Sequence, residues 1–424
     1  MDEYWQQHSE RLEYSDGTIM SADANSNPRV SNTGLPQVLL SFLTVYPLRD
    51  MPSHNMMSLD NQVYTLSDDA DSDSDSDCAT RMSLDSFSEA TATSRTSVDL
   101  SMRSQSPAPS VFSMTNSLRA QAYKEEHGRN LNNYSDVYHL PADEEELERL
   151  DRQYEMFCKV AGKYSPPLPE VLADDGFEAK AVLDLGCGSG CWITDVARDF
   201  PHCSAVAVDL VPMQSIHMPP NCRSEIDDIN LGLEHFYGDF NVVHAQLISA
   251  GIRDYHSMID QISHVLRPGG LIDITEFPFY ICGPDKKPII FPAGAFEPPW
   301  VALWTSYAMS AIKGRGGDAD AALHIHRWIS TNPAFEDVVL RDLWLPISPF
   351  LEGNDPETIF WNEIAVTMRD DMKAFLKSGR PLLLGNGLSE EFVSAMEHKA
   401  CQELDEAKIP LYGHVINVYA RKKQ

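Results

Sequence analysis

Positive charge is scarce in this sequence. Its 424 residues include 33 Lys and Arg against 63 Asp and Glu, which gives a formal net charge of -30 and a pI near 4.7. Nucleic acids and anionic membrane surfaces are bound through basic side chains that neutralise phosphate groups. We therefore expect no direct nucleic-acid binding and no membrane partner.

Paired cysteines and long apolar runs are also lacking. The eight cysteines form no Cys-x-x-Cys pair and no Cys/His cluster at zinc spacing, so no metal site is expected. Residues 1–3 carry acidic side chains and no basic one, unlike the start of a secretory signal. The apolar run at 38–48 is too short to span a bilayer. These features predict an intracellular protein with reduced thiols, in either the cytoplasm or the nucleus.

Residues 1–118 lack the periodic apolar positions of a folded segment and are rich in Ser, Asp, Thr and Asn. The run 67–77 consists almost entirely of Ser and Asp, and its charges repel one another. We predict a disordered acidic tail. It either keeps the protein soluble or docks protein partners under the control of phosphorylation, because Ser72 and Ser74 each precede an Asp by three residues.

Strand-like and helix-like runs alternate after the tail. Pro141 and the acidic residues 143–146 predict the start of a helix. The predicted strands are Ala181–Leu185, Ala205–Leu210, Arg223–Asp227, Phe240–Ala245, Leu271–Glu276, Val338–Trp344 and His414–Ala420, and the predicted helices are Cys191–Phe200, Ile252–Leu266, Phe360–Leu376 and Glu390–Leu404. This alternation predicts an α/β fold with a parallel sheet and helices on both faces.

A glycine-rich turn joins the first of these strands to a helix. Gly186, Gly188 and Gly190 would let the backbone approach a ligand where a Cβ would clash. A strand that enters such a turn and then a helix is where a doubly wound sheet binds a nucleotide-like ligand. The glycines alone do not identify that ligand.

The residues around the turn favour S-adenosylmethionine (SAM) over a dinucleotide. Cys191 stands where a dinucleotide-binding fingerprint requires its third glycine. Asp184, two residues before Gly186, would repel a pyrophosphate but would suit the ammonium group of SAM.

Further acids follow in the expected order. Asp209 ends the second strand, where a carboxylate can accept both ribose hydroxyls, and Asp227 or Asp228 can accept the adenine amino group. Each acid taken singly could instead cap a helix or occupy a turn. The predicted cofactor-binding set is Asp184, Gly186, Cys187, Gly188, Gly190, Asp209, Leu210, Asp227, Asp228 and His244.

With these motifs, the chain resembles class I methyltransferases over residues 119–424, and more closely the fungal LaeA-like group. The likeness extends beyond the glycine turn to three further stretches, at 138–151, 219–228 and 243–247. It implies a Rossmann-like fold, SAM as cofactor and binding roles for Gly186, Gly188, Asp209 and Asp228. We place a SAM-binding core at about 178–280, flanked by cap or acceptor-site elements at 119–165 and 281–410.

Two positions depart from the pattern of that group. Asn241 replaces an acid usually found early in the fourth strand, and Gln246 replaces a basic residue. We expect both to lie where acceptor and methyl meet. Aromatic side chains after Glu276 are candidate walls of the acceptor site, namely Phe277, Phe279, Tyr280, Phe296, Trp300, Trp304 and Tyr307.

Two residues are candidate bases. His244 lies near the end of the fourth strand and Glu276 at the end of the fifth. A base is needed only where the acceptor loses a proton as it attacks, and each residue could instead serve a structural purpose. The LaeA-like group includes both tailoring enzymes and regulators of secondary metabolism. We therefore expect methylation of a small-molecule acceptor or, alternatively, a SAM-binding regulator that acts through protein partners.

Overall fold

A mixed β-sheet forms the centre of the structure, which is a computed structural model that describes residues 120–213 and 218–424. The predicted acidic tail lies outside these residues. In chain order the strands are β1 (Tyr123–Glu126), β2 (Arg129–Asn132), β3 (Ala181–Leu185), β4 (Ser204–Asp209), β5 (Cys222–Ile226), β6 (Phe240–Gln246), β7 (Leu266–Glu276), β8 (Ile281–Cys282), β9 (Pro288–Ile289), β10 (Phe335–Pro346) and β11 (Tyr412–Lys422).

Nine helices accompany the strands in this part of the chain. They are α1 (Glu144–Ala161), α2 (Leu168–Val171), α3 (Cys191–Asp199), α4 (Tyr255–Val265), α5 (Trp300–Gly314), α6 (Ile325–Thr331), α7 (Pro356–Ser378), α8 (Arg380–Gly385) and α9 (Glu390–Glu406). None of the helices within 120–213 and 218–424 is long and apolar enough to cross a membrane, and no group of metal-binding side chains occurs there.

The order of the strands places a ligand crevice at the carboxyl end of β3. Five parallel strands run in the order β5-β4-β3-β6-β7, and β11 follows antiparallel to β7, with β10 antiparallel to β11. The direction of the strand order reverses between β3 and β6, and ligands bind at such a switch point in open α/β sheets. The sequence prediction of an α/β sheet is confirmed, with every predicted strand present to within a few residues.

Helices cover both faces of the sheet, as predicted. Val182 on β3 packs in one apolar cluster with α2 and α3, whereas the adjacent Leu183 packs in a second cluster with α4 and α6. Alternate residues of a strand point to opposite faces, so two helix layers are needed to bury both. Helix α4 begins at Tyr255 rather than Ile252 because the Asp254 carboxylate accepts the Ser257 N–H at 2.8 Å and caps it there.

A third apolar cluster joins α1 to the C-terminal helices α5, α7, α8 and α9. Helix α1 begins as predicted, with Asp143 capping it by accepting the Glu146 N–H at 3.2 Å. The prediction missed α5, because most of its residues are buried and it shows no amphipathic period.

Candidate active site

The glycine turn adopts a backbone that other residues rarely adopt. Gly186, Gly188 and Gly190 have φ angles of 69°, 55° and 79°, and Gly190 is the N-cap of α3. A Cβ at Gly186 would lie 2.5 Å from the side chain of Ile248, and one at Gly190 would collide with Met213. These glycines are therefore required by the fold itself as well as by the ligand predicted from the sequence.

Asp209 lies at the end of β4 beside this turn. Its Oδ2 accepts the Gly188 N–H at 2.9 Å, which ties the turn to the neighbouring strand. Burial raises the pKa of Asp209 to about 6, although hydrogen bonds from backbone N–H groups oppose the shift. Asp228, after β5, accepts the Asn230 N–H at 3.0 Å and so also caps a short turn.

Asp184 and His244 form a buried pair below the turn. They lie opposite each other on β3 and β6, and His244 Nδ1 is 2.7 Å from Asp184 Oδ1. The His244 ring stacks on the indole of Trp192, with ring centroids 3.7 Å apart and planes 10° from parallel. The Trp192 indole, the first buried side chain of α3, was not among the predicted site residues.

One cavity brings nearly all of the predicted cofactor residues together. Its empty volume is about 1830 Å³, including its open mouth. The members of the predicted set that line it are Asp184, Gly186, Cys187, Gly188, Asp209, Leu210, Asp227, Asp228 and His244. Gly190 does not line it, since its place is the cap of α3.

The polar groups of this cavity suit SAM. Five aspartates line it, four of them from the predicted set, and Arg149 is the only Lys or Arg among the described residues of the lining. Arg149 is already paired with two buried carboxylates, Glu146 at 2.7 Å and Asp371 at 2.9 Å. No unpaired Lys or Arg is left there for a pyrophosphate, while the aspartates can accept hydrogen bonds from ribose hydroxyls and an ammonium group.

Glu276 does not line the cavity. Its fully buried carboxylate accepts hydrogen bonds from the N–H groups of Ile248 and Ser249 and from the hydroxyls of Ser249 and Tyr255, at 2.7–3.1 Å. Burial raises its pKa to about 7. This geometry makes Glu276 the anchor of the loop after β6, and nothing in it supports the prediction that Glu276 acts as a base.

The two departures from the family pattern lie at opposite ends of β6. Gln246 lines the cavity, as expected. The expectation for Asn241 is wrong, because its Oδ1 accepts the Ala181 N–H at 2.9 Å and an Arg267 N–H at 3.0 Å at the amino end of the strand. The cavity lies at the carboxyl end, so Asn241 links strands and does not reach the acceptor.

Three of the seven candidate aromatic residues line the cavity and the other four do not. Those that line it are Phe277, Phe279 and Tyr280. Trp304 is fully buried against Phe375 inside the cap. The remaining three pack around Phe392 on α9 or around each other, namely Phe296, Trp300 and Tyr307.

The cap helices α1 and α7 lie in the segments predicted as cap or acceptor-site elements, but sequence reasoning did not name the side chains that they bring into the cavity. Together they line the cavity with Glu146, Leu147, Arg149, Leu150, Gln153, Tyr154, Met156, Phe157, Met368, Asp371, Met372 and Phe375. Apolar residues at helical spacing in both segments predicted amphipathic helices, but that spacing does not show which side chains face a ligand. We call the part of the cavity lined by Met156, Phe157, Phe279, Met368, Met372 and Phe375 the apolar half.

Comparisons with known proteins agree with this geometry. Residues 182–270 match a family model described as a methyltransferase domain. The chain is 44% identical over 303 residues to the secondary metabolism regulator laeA of Coprinopsis cinerea, which covers 70% of this chain and 74% of that protein.

Two other relatives share less of the sequence. Methyltransferase str2 of Strobilurus tenacellus is 27% identical over 51% of this chain and 73% of its own length. The protein-methionine methyltransferase laeA of Emericella nidulans is 30% identical over 41% of this chain and 46% of its own length.

The sheet order, the acidic cavity beside the glycine turn and these relatives confirm the predicted methyltransferase, with SAM as its cofactor. The chain belongs to the LaeA family of SAM-dependent methyltransferases.

Proposed function

We propose that this protein transfers the methyl group of SAM to a small organic acceptor bound in the apolar half of the cavity. The observation that carries this proposal is the position of the cap. Helices α1 and α7 both line the cavity, and the buried ion pair of Arg149 on α1 with Asp371 on α7 holds them together. A cavity closed on this side suits a small molecule or a single flexible side chain better than a folded protein surface.

The apolar half also suits the chemistry of methyl transfer. The reaction is an in-line displacement in which the leaving sulfur loses its positive charge and needs no acid. Most of the rate enhancement then comes from holding the attacking atom close to the methyl group and on its axis. Aromatic and Met side chains can fix an organic acceptor in that position while they exclude water.

A second candidate function is a regulator that acts through protein partners. The support for it is the similarity to proteins named as regulators of secondary metabolism, the Coprinopsis cinerea protein among them. A relative named as a protein-methionine methyltransferase favours a side chain as acceptor. On this reading, the acidic segment 1–118 would recruit the partner.

Labelled methyl transfer separates the two candidates. The full chain is incubated with SAM tritiated on its methyl group and with a fungal extract divided into low-mass metabolites and protein, and also alone. We expect label in the low-mass fraction. Label confined to protein, or to the chain itself, would favour the regulator. The absence of label from all fractions, with SAM bound, would refute methyl transfer.

A matched pair of variants shows whether labelling depends on SAM bound in the cavity. Asp209→Ala removes a carboxylate from the lining and should lower labelling by about fivefold or more at a SAM concentration near the Kd of the unmodified chain. Asp239→Ala makes the same substitution at an exposed position outside the cavity and should leave labelling unchanged.

A further inference from the structure

In the buried pair of Asp184 and His244, the carboxylate orients the imidazole. Asp184 and His244 are register partners on adjacent strands, so both side chains lie on the same face of the sheet. Both are at least 95% buried, and the contact between Oδ1 and Nδ1 is 2.7 Å. A carboxylate bonded to one imidazole nitrogen places the proton on that nitrogen, so Nε2 keeps its lone pair.

The other surroundings of His244 hold its ring in place without occupying Nε2. Trp192 packs flat against the ring. Nε2 forms no hydrogen bond with any residue in 120–213 or 218–424, and His244 lines the main cavity. This nitrogen therefore has no partner among these residues that would prevent it from accepting a proton.

A second, smaller cavity also reaches His244. It is lined by His244, Trp192 and Tyr154 and also by Asp273, Asn417 and Arg341. Asp273, the register partner of His244 on β7, already accepts hydrogen bonds from Ser165 at 2.6 Å and from Asn417 at 2.8 Å. Asp184 is hydrogen-bonded to the ring, and the charged residues that line the smaller cavity with His244 are Lys163, Asp273 and Arg341.

The smaller cavity also contains an unpaired polar atom. Asn417 is 95% buried, and its Oδ1 has no hydrogen-bond partner among residues 120–213 and 218–424, which leaves a polar place for a water molecule.

We propose that Asp184 is a positioning residue that holds His244 as a base, and that the acceptor therefore carries a proton on the atom that is methylated. This inference rests on the proposed methyl transfer. The acceptor, a hydroxyl, amine or thiol, gives its proton to Nε2 while its bond to the methyl carbon forms. The bond between that carbon and the SAM sulfur breaks, and its electron pair stays on the sulfur. A thioether acceptor has no proton to lose, so its methylation would need no base.

The first test separates turnover from cofactor binding. At saturating SAM, His244→Gln should lower the rate of labelling by about a hundredfold, because the base is lost. Asp184→Asn should lower it by a similar factor while the Kd of SAM changes by no more than about threefold, because an amide does not hold the proton on Nδ1 as the carboxylate does. The double variant should be no slower than the slower single variant, since the two residues act as a unit.

An unchanged rate at saturating SAM in a folded Asp184→Asn variant would overturn the proposal. A large loss of SAM affinity with that unchanged rate would make Asp184 a ligand of the SAM ammonium group instead. Circular dichroism establishes that the variant is folded.

The second test needs no variant. With SAM that carries a trideuterated methyl group, mass spectrometry shows what the labelled product gained and lost. A product that gained the methyl group and lost one proton supports the inference. A product with a new permanent positive charge, as a methylated thioether has, refutes the inference and leaves methyl transfer itself intact. SAM binding without any labelled product would refute the proposed function instead.

Discussion

Replacing Arg149 by Met should severely weaken the cap over the active site. The Arg149 guanidinium is 95% buried and donates to Glu146 at 2.7 Å and to Asp371 at 2.9 Å. Both carboxylates are also buried, and Arg149→Met leaves them without a counter-charge. Removing one partner of a buried ion pair costs about 3–5 kcal/mol of unfolding free energy. At about 2–4 °C per kcal/mol, the melting temperature should fall by roughly 6–20 °C.

Arg152→Met provides a matched control on the same helix. The Arg152 side chain is 56% exposed and lies 3.9 Å from the exposed Glu148, so its pair is screened by water. This variant should lower the melting temperature by no more than about 2 °C. Differential scanning calorimetry of both variants, without SAM, gives the comparison. Equal melting temperatures for the two would refute the argument from burial.

The pH dependence of the Arg149→Met variant provides a second check. Burial raises the pKa of Asp371 even beside Arg149, and the loss of Arg149 raises it further. The folded variant then binds a proton at a higher pH than the unfolded chain does, so its stability falls as the pH rises. The difference from the unmodified protein should therefore be smaller at pH 5 than at pH 8. A difference that grows toward acid would contradict this reasoning.

Three further predictions concern the cofactor site, the loop after β6 and the tail. Asp209→Asn should weaken SAM binding by about tenfold to a hundredfold in calorimetry. The same variant should raise the melting temperature of the ligand-free protein at pH 8. Burial raises the pKa of Asp209 to about 6, so the folded protein is destabilised at pH 8 by a buried charge that Asn lacks. The gain should vanish near pH 4, where Asp209 is protonated, and a gain that persists there would contradict the assignment. Glu276→Gln should keep the rate of methyl transfer within about threefold, because the amide can hold the same loop. If Glu276 were a base, this substitution would lower the rate at least a hundredfold. Glu276→Ala should lower both the melting temperature and the affinity for SAM. A chain without residues 1–118 should fold and bind SAM with unchanged affinity, and failure to do so would show that the tail contributes to the domain.

Much of the fold could be read from the sequence because its signals are local. Apolar runs and the turns between them depend on neighbouring residues, so β3, β4, β5 and β6 appear within about one residue of their predicted bounds. The glycine turn and the acids after successive strands were also predictable. The carboxyl ends of adjacent parallel strands meet at one edge of a sheet, so order along the chain specifies proximity in space.

The roles of the charged residues depended on contacts that sequence spacing does not encode. Asp184 and His244 are 60 residues apart and meet only through the register of β3 and β6, which decides that the carboxylate bonds to the imidazole. Glu276 ends the fifth strand as expected, yet its carboxylate accepts hydrogen bonds from backbone N–H groups of the loop after β6.

The contact that closes the predicted cap likewise depends on the tertiary structure alone. Arg149 and Asp371 are 222 residues apart, and either one would pass for an ordinary polar residue of an amphipathic helix. Only packing α1 against α7 buries both and turns their helices into a wall of the active site. Local patterns therefore determined the sheet and its cofactor edge, and long-range packing decided which side chains surround the acceptor.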